Sequence, residues 1–391
     1  MESGPQHNQK LMRALLQHLR PRQSEMVATL GRWVNCESPS FSKPAVDRCA
    51  QLVAAEWRKL GASVQLLSQK HRGDHVRAEV WLGSGRPAGQ LMVLGHTDTV
   101  YEAGTLESMP FRVSGGRAWG PGTFDMKGGL VMALYAAATL QATRIAPRKR
   151  LVFLWTSDEE IGSDTARKHI EQEARRSDAV LVLEPAFGKD GRLKTARKGV
   201  GEVELVVTGR ASHAGINPEA GVNAIHEMAL QIARVMNLNA PLRGTTVNVD
   251  VIEGGTRSNV IAERARAQVD LRVTSIREAR ALEKKLRALR PILKGAKLEV
   301  CGAIDRPPLE RTAAVVRLFR HAQGLMRAAG LPLGEASTGG GSDGNFTAAL
   351  GVPTLDGLGA VGDGAHSSHE HVVIRKLPER AALIAGLLAT L

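Results

Sequence analysis

Apolar residues along this chain fall into two patterns, and each predicts a different kind of sheet. The first is a set of short unbroken runs that stop at polar residues or glycine: Leu91-Met92-Val93-Leu94 before Gly95, Leu151-Val152-Phe153-Leu154-Trp155 before Thr156, and Ala179-Val180-Leu181-Val182-Leu183 before Glu184. Runs of four or five apolar residues without alternation read as strands buried on both faces. Residues 352–355 read as another strand, and the apolar stretch 130–140, opened by Gly128-Gly129, reads as a buried helix. Buried strands separated by helical stretches predict an open α/β sheet.

The second pattern occupies the middle of the chain. Residues 202–207, 245–252, 265–273 and 297–300 read as strands. Residues 218–236 carry apolar side chains at helical spacing (Val222, Ile225, Met228, Ala229, Ile232), and residues 275–293 predict a basic amphipathic helix. The order β-α-β-β-α-β is that of the ferredoxin-like split module, a four-stranded antiparallel sheet with two helices on one face. An apolar helix over residues 312–329 then returns to the first domain.

Candidate chemistry gathers where strands of the first kind end. His96 and Asp98 follow the first run in Gly95-His96-Thr97-Asp98-Thr99. A metal-binding imidazole usually donates its other N–H to a carboxylate, and residues two apart on an extended chain share a face. Asp125 stands at a loop-to-helix junction, Glu159 and Glu160 follow the second strand, Glu184 follows the third, and His366 lies near the C-terminus. Carboxyl ends of strands gather on one edge of an open α/β sheet, so these residues are predicted to converge. Two imidazoles and three carboxylates, one of them bridging, suit two divalent ions. Adjacent side chains diverge, so one of Glu159 and Glu160 can bind metal while the other acts as general base; the pattern alone does not choose.

These segments, with Asp125-Met126-Lys127-Gly128-Gly129, Ser212-His213-Ala214-Gly215 and Gly339-Gly340-Gly341-Ser342-Asp343-Gly344-Asn345, occur in order from Gly95 onward. Together they resemble the co-catalytic zinc peptidases of the M-twenty family, most of all its glutamate carboxypeptidases, which split folates and other acyl-glutamates. The resemblance implies a zinc-exopeptidase-like α/β catalytic domain, a mixed sheet with helices on both faces, over residues 1–197 and 306–391. Residues 198–305 would be an inserted ferredoxin-like α+β lid and dimerisation domain. It implies two zinc ions per subunit, replaceable by cobalt or manganese: one on His96 and Glu184, the other on Glu160 and His366, with Asp125 bridging. Glu159 becomes the base, Asp98 the partner that orients His96, and Asp125-Met126 a cis peptide.

The same resemblance implies a homodimer in which His213 reaches across to donate to the substrate carbonyl oxygen. It puts Arg272 and Asn259 near the substrate carboxylate, and Arg192 and Arg306 near positions that bind an acidic end. Gly341 closes a glycine run whose backbone can approach a ligand. From alternation alone, Arg272 shares a sheet face with Asp270 and is better read as paired with it. His369 and His371 fall outside the motif and are expected to be solvated.

The expected reaction is removal of a C-terminal, glutamate-like residue from a small peptide or N-acyl amino acid. Alternatives are an N-acyl amino acid deacylase, a dipeptidase, or an inactive metal-binding relative serving as a peptide-binding module. With 391 residues, 43% hydrophobic and 23% charged, the chain is that of a globular protein with room for two cores. Its net charge of +13 attracts anions, but the basic residues are scattered and aromatics make up only 4%, so no nucleic-acid partner is expected. Cys36, Cys49 and Cys301 form no CxxC pair and are expected to be reduced. No apolar run approaches about 18 residues, so no membrane span is expected, and the N-terminus lacks the pattern of a signal peptide; a cytoplasmic location is the expectation.

Overall fold

The computed structural model describes residues 4–391. The chain forms two compact units: one holds the chain up to Thr195 with Arg311–Ser337 and Ser342–Leu391, the other Ala196–Glu310 with Thr338–Gly341.

The first unit is built on a six-stranded sheet in the order Ser63–Leu67, His75–Val80, Arg150–Thr156, Gln90–His96, Ala179–Val182 and Thr354–Leu355. Gln90–His96 runs parallel to both its neighbours, whereas His75–Val80 is antiparallel to Arg150–Thr156, so the sheet is mixed. Every residue of Gln90–His96 is buried. Leu91 and Val93 join the core beneath the helices Gly128–Ala142 and Leu377–Thr390, while Met92 and Leu94 pack with Ala166, Ile170 and Phe346 on the opposite face. Helices therefore cover both faces, which is why these strands lack polar alternation. Gly129 lets the buried helix start against the sheet: a Cβ there would lie 2.5 Å from the Leu183 carbonyl oxygen.

The second unit is an antiparallel sheet in the order Thr246–Gly254, Arg264–Val273, Gly199–Thr208 and Lys297–Arg306, with helices Ala224–Met236 and Ile276–Arg287. Val203, Leu205, Val207, Val269 and Leu271 alternate inward and pack with Met228, Leu282 and Leu286, giving the ferredoxin-like arrangement. Both helices are shorter than their apolar spacing predicts. The first starts at Ala224 because Asn223 caps it, accepting the N–H groups of Ile225 and His226, and Val222 bridges to Arg210 instead. The second ends at Arg287, ahead of Pro291, and the freed N–H groups of Ile292 and Leu293 donate to the Glu227 carboxylate. The expected strand over 352–355 shrinks to Thr354–Leu355, after Pro353. Among the described residues no helix is long and apolar enough to cross a membrane.

Candidate metal centre

Strand register brings the first polar residues into line. His96 ends its strand opposite Thr156, and Leu94 lies opposite Val182, so Glu184 follows on one side and Glu159 and Glu160 on the other. The two adjacent glutamates sit in the short 3-10 turn Glu159–Ile161. Asp125 comes from the turn ahead of the buried helix, and its peptide bond to Met126 is cis, the isomer the resemblance implied. His366 stands in the loop joining Gly362–Asp363 to His371–Val373, with φ of +60°. Tyr101 steadies that loop by donating its hydroxyl to the Ser367 carbonyl at 2.9 Å.

The carboxylate of Asp125 faces two ways. Its Oδ1 is 3.3 Å from His96 Nε2, and its Oδ2 is 3.4 Å from His366 Nε2. Glu184 Oε1 approaches His96 Nε2 at 3.7 Å, and Glu160 Oε2 approaches His366 Nε2 at 3.2 Å. Donors bound tetrahedrally at about 2.1 Å lie about 3.4 Å from one another, so these spacings match ligands grouped around two cations. Glu159 also has an oxygen within 4.8 Å of donor atoms of His96 and Glu184.

Two further observations favour cations there. Glu160 Oε1 is buried without a hydrogen-bond partner, a costly state for a carboxylate oxygen. Burial, reinforced by Asp125 and Glu159, pushes the Glu160 carboxyl up to about 8 despite His366. Hydrogen bonds to Asp125 and Glu160 hold His366 up at about 10. Burial opposes charging His96, yet Asp125 and Asp98 outweigh it and keep the imidazole well above its ordinary value. Burial likewise opposes ionising Asp125, but the two histidines hold its carboxyl well below the usual range. The cluster thus concentrates negative charge that the imidazoles only partly balance. Oxygen and imidazole donors in this number suit two borderline divalent ions such as zinc.

Asp98 acts on more than His96. His96 Nδ1 donates to the Asp98 backbone carbonyl at 3.0 Å, while the Asp98 carboxylate is farther, at 3.5 Å. That buried carboxylate accepts the N–H groups of Glu159 at 3.3 Å and Glu160 at 3.2 Å, and the Ser40 hydroxyl at 2.7 Å. It ties the turn carrying both glutamates to the strand end carrying His96.

Sequence reasoning missed three supports. Glu370 is fully buried and accepts the N–H groups of Gly122, Phe124 and Asp125 at 2.9, 2.7 and 2.8 Å, fixing the turn that presents Asp125. Asp343 accepts hydroxyl hydrogen bonds from Thr156, at 3.0 Å, and from Ser163, flanking the glutamate turn. Ser40 comes from a region without motifs. Only Asp343 carried a signal, its place in the glycine-rich motif. His371 corrects the expectation of a solvated histidine: it is 9% exposed because its ring packs on Trp119, centroids 4.4 Å apart.

The remaining expected residues have contacts of their own. In the second unit, exposed His213 accepts the N–H groups of Gly215 and Ile216 on Nδ1, at 3.1 and 3.2 Å, leaving Nε2 to carry the proton. Asn259 lies alongside, its carbonyl accepting from Ala214 at 3.0 Å. The Arg306 side chain packs over Gly341, whose carbonyl accepts from Arg197 at 2.9 Å. Arg272 is engaged with Asp270 through three hydrogen bonds of 2.9–3.1 Å, the pairing that strand alternation favoured. In the first unit, Arg192 pairs with Asp190 at 3.1 Å.

The chain is 32% identical over 389 residues to carboxypeptidase G2 of Pseudomonas sp. (strain RS-16), covering 98% of this chain and 93% of that one. Its fold is similar to aminopeptidase PepT from Bacillus cereus (TM-score 0.79, 21% identity, 94% of this chain and 98% of that one). It is also similar to a dinuclear metal binding peptidase of the M20 family from Bacillus subtilis (TM-score 0.69, 16% identity, 95% and 98%). Residues 92–390, from the first strand of the site to the last helix, match Peptidase family M20/M25/M40, and the chain belongs to that family.

Proposed function

We propose that this peptidase-family member is a dinuclear-zinc hydrolase that removes a C-terminal, glutamate-like residue from a peptide or N-acyl amino acid. The observation that carries the reading is the Asp125 carboxylate, whose two oxygens face His96 and His366 at 3.3 and 3.4 Å. His96 and Glu184 would hold one ion, Glu160 and His366 the other, and Asp125 both. Bound zinc supplies Lewis acidity, polarising the scissile carbonyl and lowering the pKa of the attacking water. Glu159 takes the proton from that water as its oxygen adds to the carbonyl carbon, then passes the proton to the amine as the C–N bond breaks.

His213 supplies the donor for the carbonyl oxygen, with its Nε2 proton fixed by the two backbone N–H groups on Nδ1. It would act from a second copy of the chain. A dimer is supported by the edge strand Thr246–Gly254, which exposes Val251 and Ile252, with the exposed Ile225 side chain against Gly254 at its end. Arg306, Asn259 and the Gly341 backbone are the remaining candidates for contacts to the substrate's acidic groups. Arg272 and Arg192 would first have to leave Asp270 and Asp190.

Those two pairings favour a second reading, an N-acyl amino acid deacylase or dipeptidase that accepts non-acidic residues. A panel of dipeptides and N-acyl amino acids, assayed with zinc and after chelation, separates the two. Release of C-terminal glutamate, abolished by chelator and restored by zinc, is the expected result. Release confined to apolar residues supports the second reading, and turnover that survives complete metal removal overturns both.

A further inference from the structure

The first unit also contains a cavity of about 610 Å³ whose walls include Arg117, Lys189, His371, Arg375 and Lys376. We propose that it binds a small polyanion, a molecule carrying at least two phosphate or carboxylate groups. None of the metal-site residues lines it, and the proposal does not depend on the hydrolase reading.

The cations arrive from separate parts of the chain. Arg117 follows the turn at Gly115-Gly116, Lys189 lies in the loop after Phe187, and Arg375 and Lys376 stand in the 3-10 turn Ile374–Lys376. Lys376 is paired with Glu379 at 2.7 Å. Arg117, Lys189 and Arg375 have no carboxylate partner among the described residues. Elsewhere on this unit basic side chains are commonly paired, as in Lys43 with Asp47 and Asp74, Arg167 with Glu171, and Arg311 with Glu335. Among the described residues the single carboxylate lining the cavity, Asp363, accepts the Gly364 N–H at 2.8 Å. Gathering like charges around one concavity costs stability unless an anion offsets it.

His371 gives the cavity a buried polar wall. Its Nδ1 donates to the His369 carbonyl at 3.0 Å, and Nε2 has no partner among the described residues. Packed on Trp119 and 9% exposed, the ring has lost the freedom of a surface histidine. Val361, Val373 and Ile374 supply apolar wall between the charges. This combination suits a compact metabolite with acidic groups at two ends better than a lone halide.

The test is calorimetric titration of the zinc-loaded enzyme with fructose 1,6-bisphosphate and, separately, with tricarballylate, so that phosphate and carboxylate sources are distinguished. At least one should bind, and Arg117→Ala with Arg375→Ala should weaken it by about a hundredfold, about tenfold per lost charge-assisted contact. Basal peptide turnover of the double variant should match the parent, and without anion it should unfold no earlier than the parent, since two like charges are gone. Failure of both probes to bind up to about 10 mM, weaker than ordinary metabolite sites, overturns the proposal. So does binding that persists in the double variant, or that is lost only in His366→Ala, since the anion then sits elsewhere.

Discussion

The two halves of the metal cluster use the same kinds of donor on different supports. His96 is 1% exposed, at the end of a central strand, and Glu184 follows the neighbouring strand in register. His366 is 50% exposed, on a loop with a left-handed backbone, and Glu160 leaves a one-turn helix. The sheet places the first pair, because parallel strands in register leave no freedom at their ends. The second pair is placed by loops, and loops hold a ligand only as well as their own hydrogen bonds allow. Here those bonds go to buried carboxylates: Asp98 beneath the glutamate turn, and Glu370 four residues after His366, beneath the Asp125 turn.

The largest effect separates chemistry from both supports. Glu159→Gln should lower kcat by roughly a thousandfold, within the 10²–10⁴ range for a general base. Metal content, measured by elemental analysis, should stay at two ions per subunit. A variant that keeps its metals and its turnover would remove Glu159 from the reaction.

Next comes the contrast itself. Both His96→Ala and His366→Ala should lose bound metal, but His96→Ala should destabilise the metal-free protein more, by about 1–3 kcal/mol, because the whole of its ring is buried among the groups it partners. His366→Ala also takes a partner from Asp125 and Glu160, but half of its ring faces solvent, so its cost to the metal-free protein in urea unfolding should be the smaller. Equal losses in the two metal-free variants would mean that the halves are equally supported.

Glu370 offers a sharper cut, since it touches no proposed ligand side chain. Glu370→Gln keeps the shape but turns one acceptor into a donor facing backbone N–H groups. Zinc affinity should fall about 10–100-fold, the usual cost of disturbing a ligand's support. Competition against a fluorescent chelator measures this directly, and an unchanged affinity would reduce Glu370 to a plain core residue.

What could be read in the sequence follows the same division. The unbroken runs ending at Gly95, Thr156 and Glu184 announce the sheet and its ligand-bearing edge, because burial on both faces imposes a pattern within each segment. The alternating strands of the second unit were legible for the converse reason, one face being polar. Ser40 and Glu370 were not, because each acts on a segment far away in the chain, 58 residues off for Ser40 and Asp98, and 245 for Glu370 and Asp125. His371 was misjudged because its cover, Trp119, lies across a strand pairing that no local spacing reveals.

The smallest expected effect tests how far support extends from the metals. Ser40 donates to Asp98 Oδ2 at 2.7 Å, the same oxygen that accepts the Glu160 N–H at 3.2 Å. Removing the hydroxyl leaves Asp98 its two backbone donors and the nearby His96 ring, so the carboxylate stays ionised but Oδ2 keeps only the Glu160 N–H. Ser40→Ala should therefore cost about 0.5–1.5 kcal/mol in urea unfolding, the net worth of one buried hydrogen bond, with zinc stoichiometry intact. If Asp98 is an anchor for the glutamate turn, kcat should fall severalfold while KM barely moves, because Glu159 is displaced more than the substrate's contacts are. A loss of stability with unchanged kcat would mean instead that the two backbone N–H bonds already fix Asp98, and that the turn needs nothing from the residue 58 positions upstream.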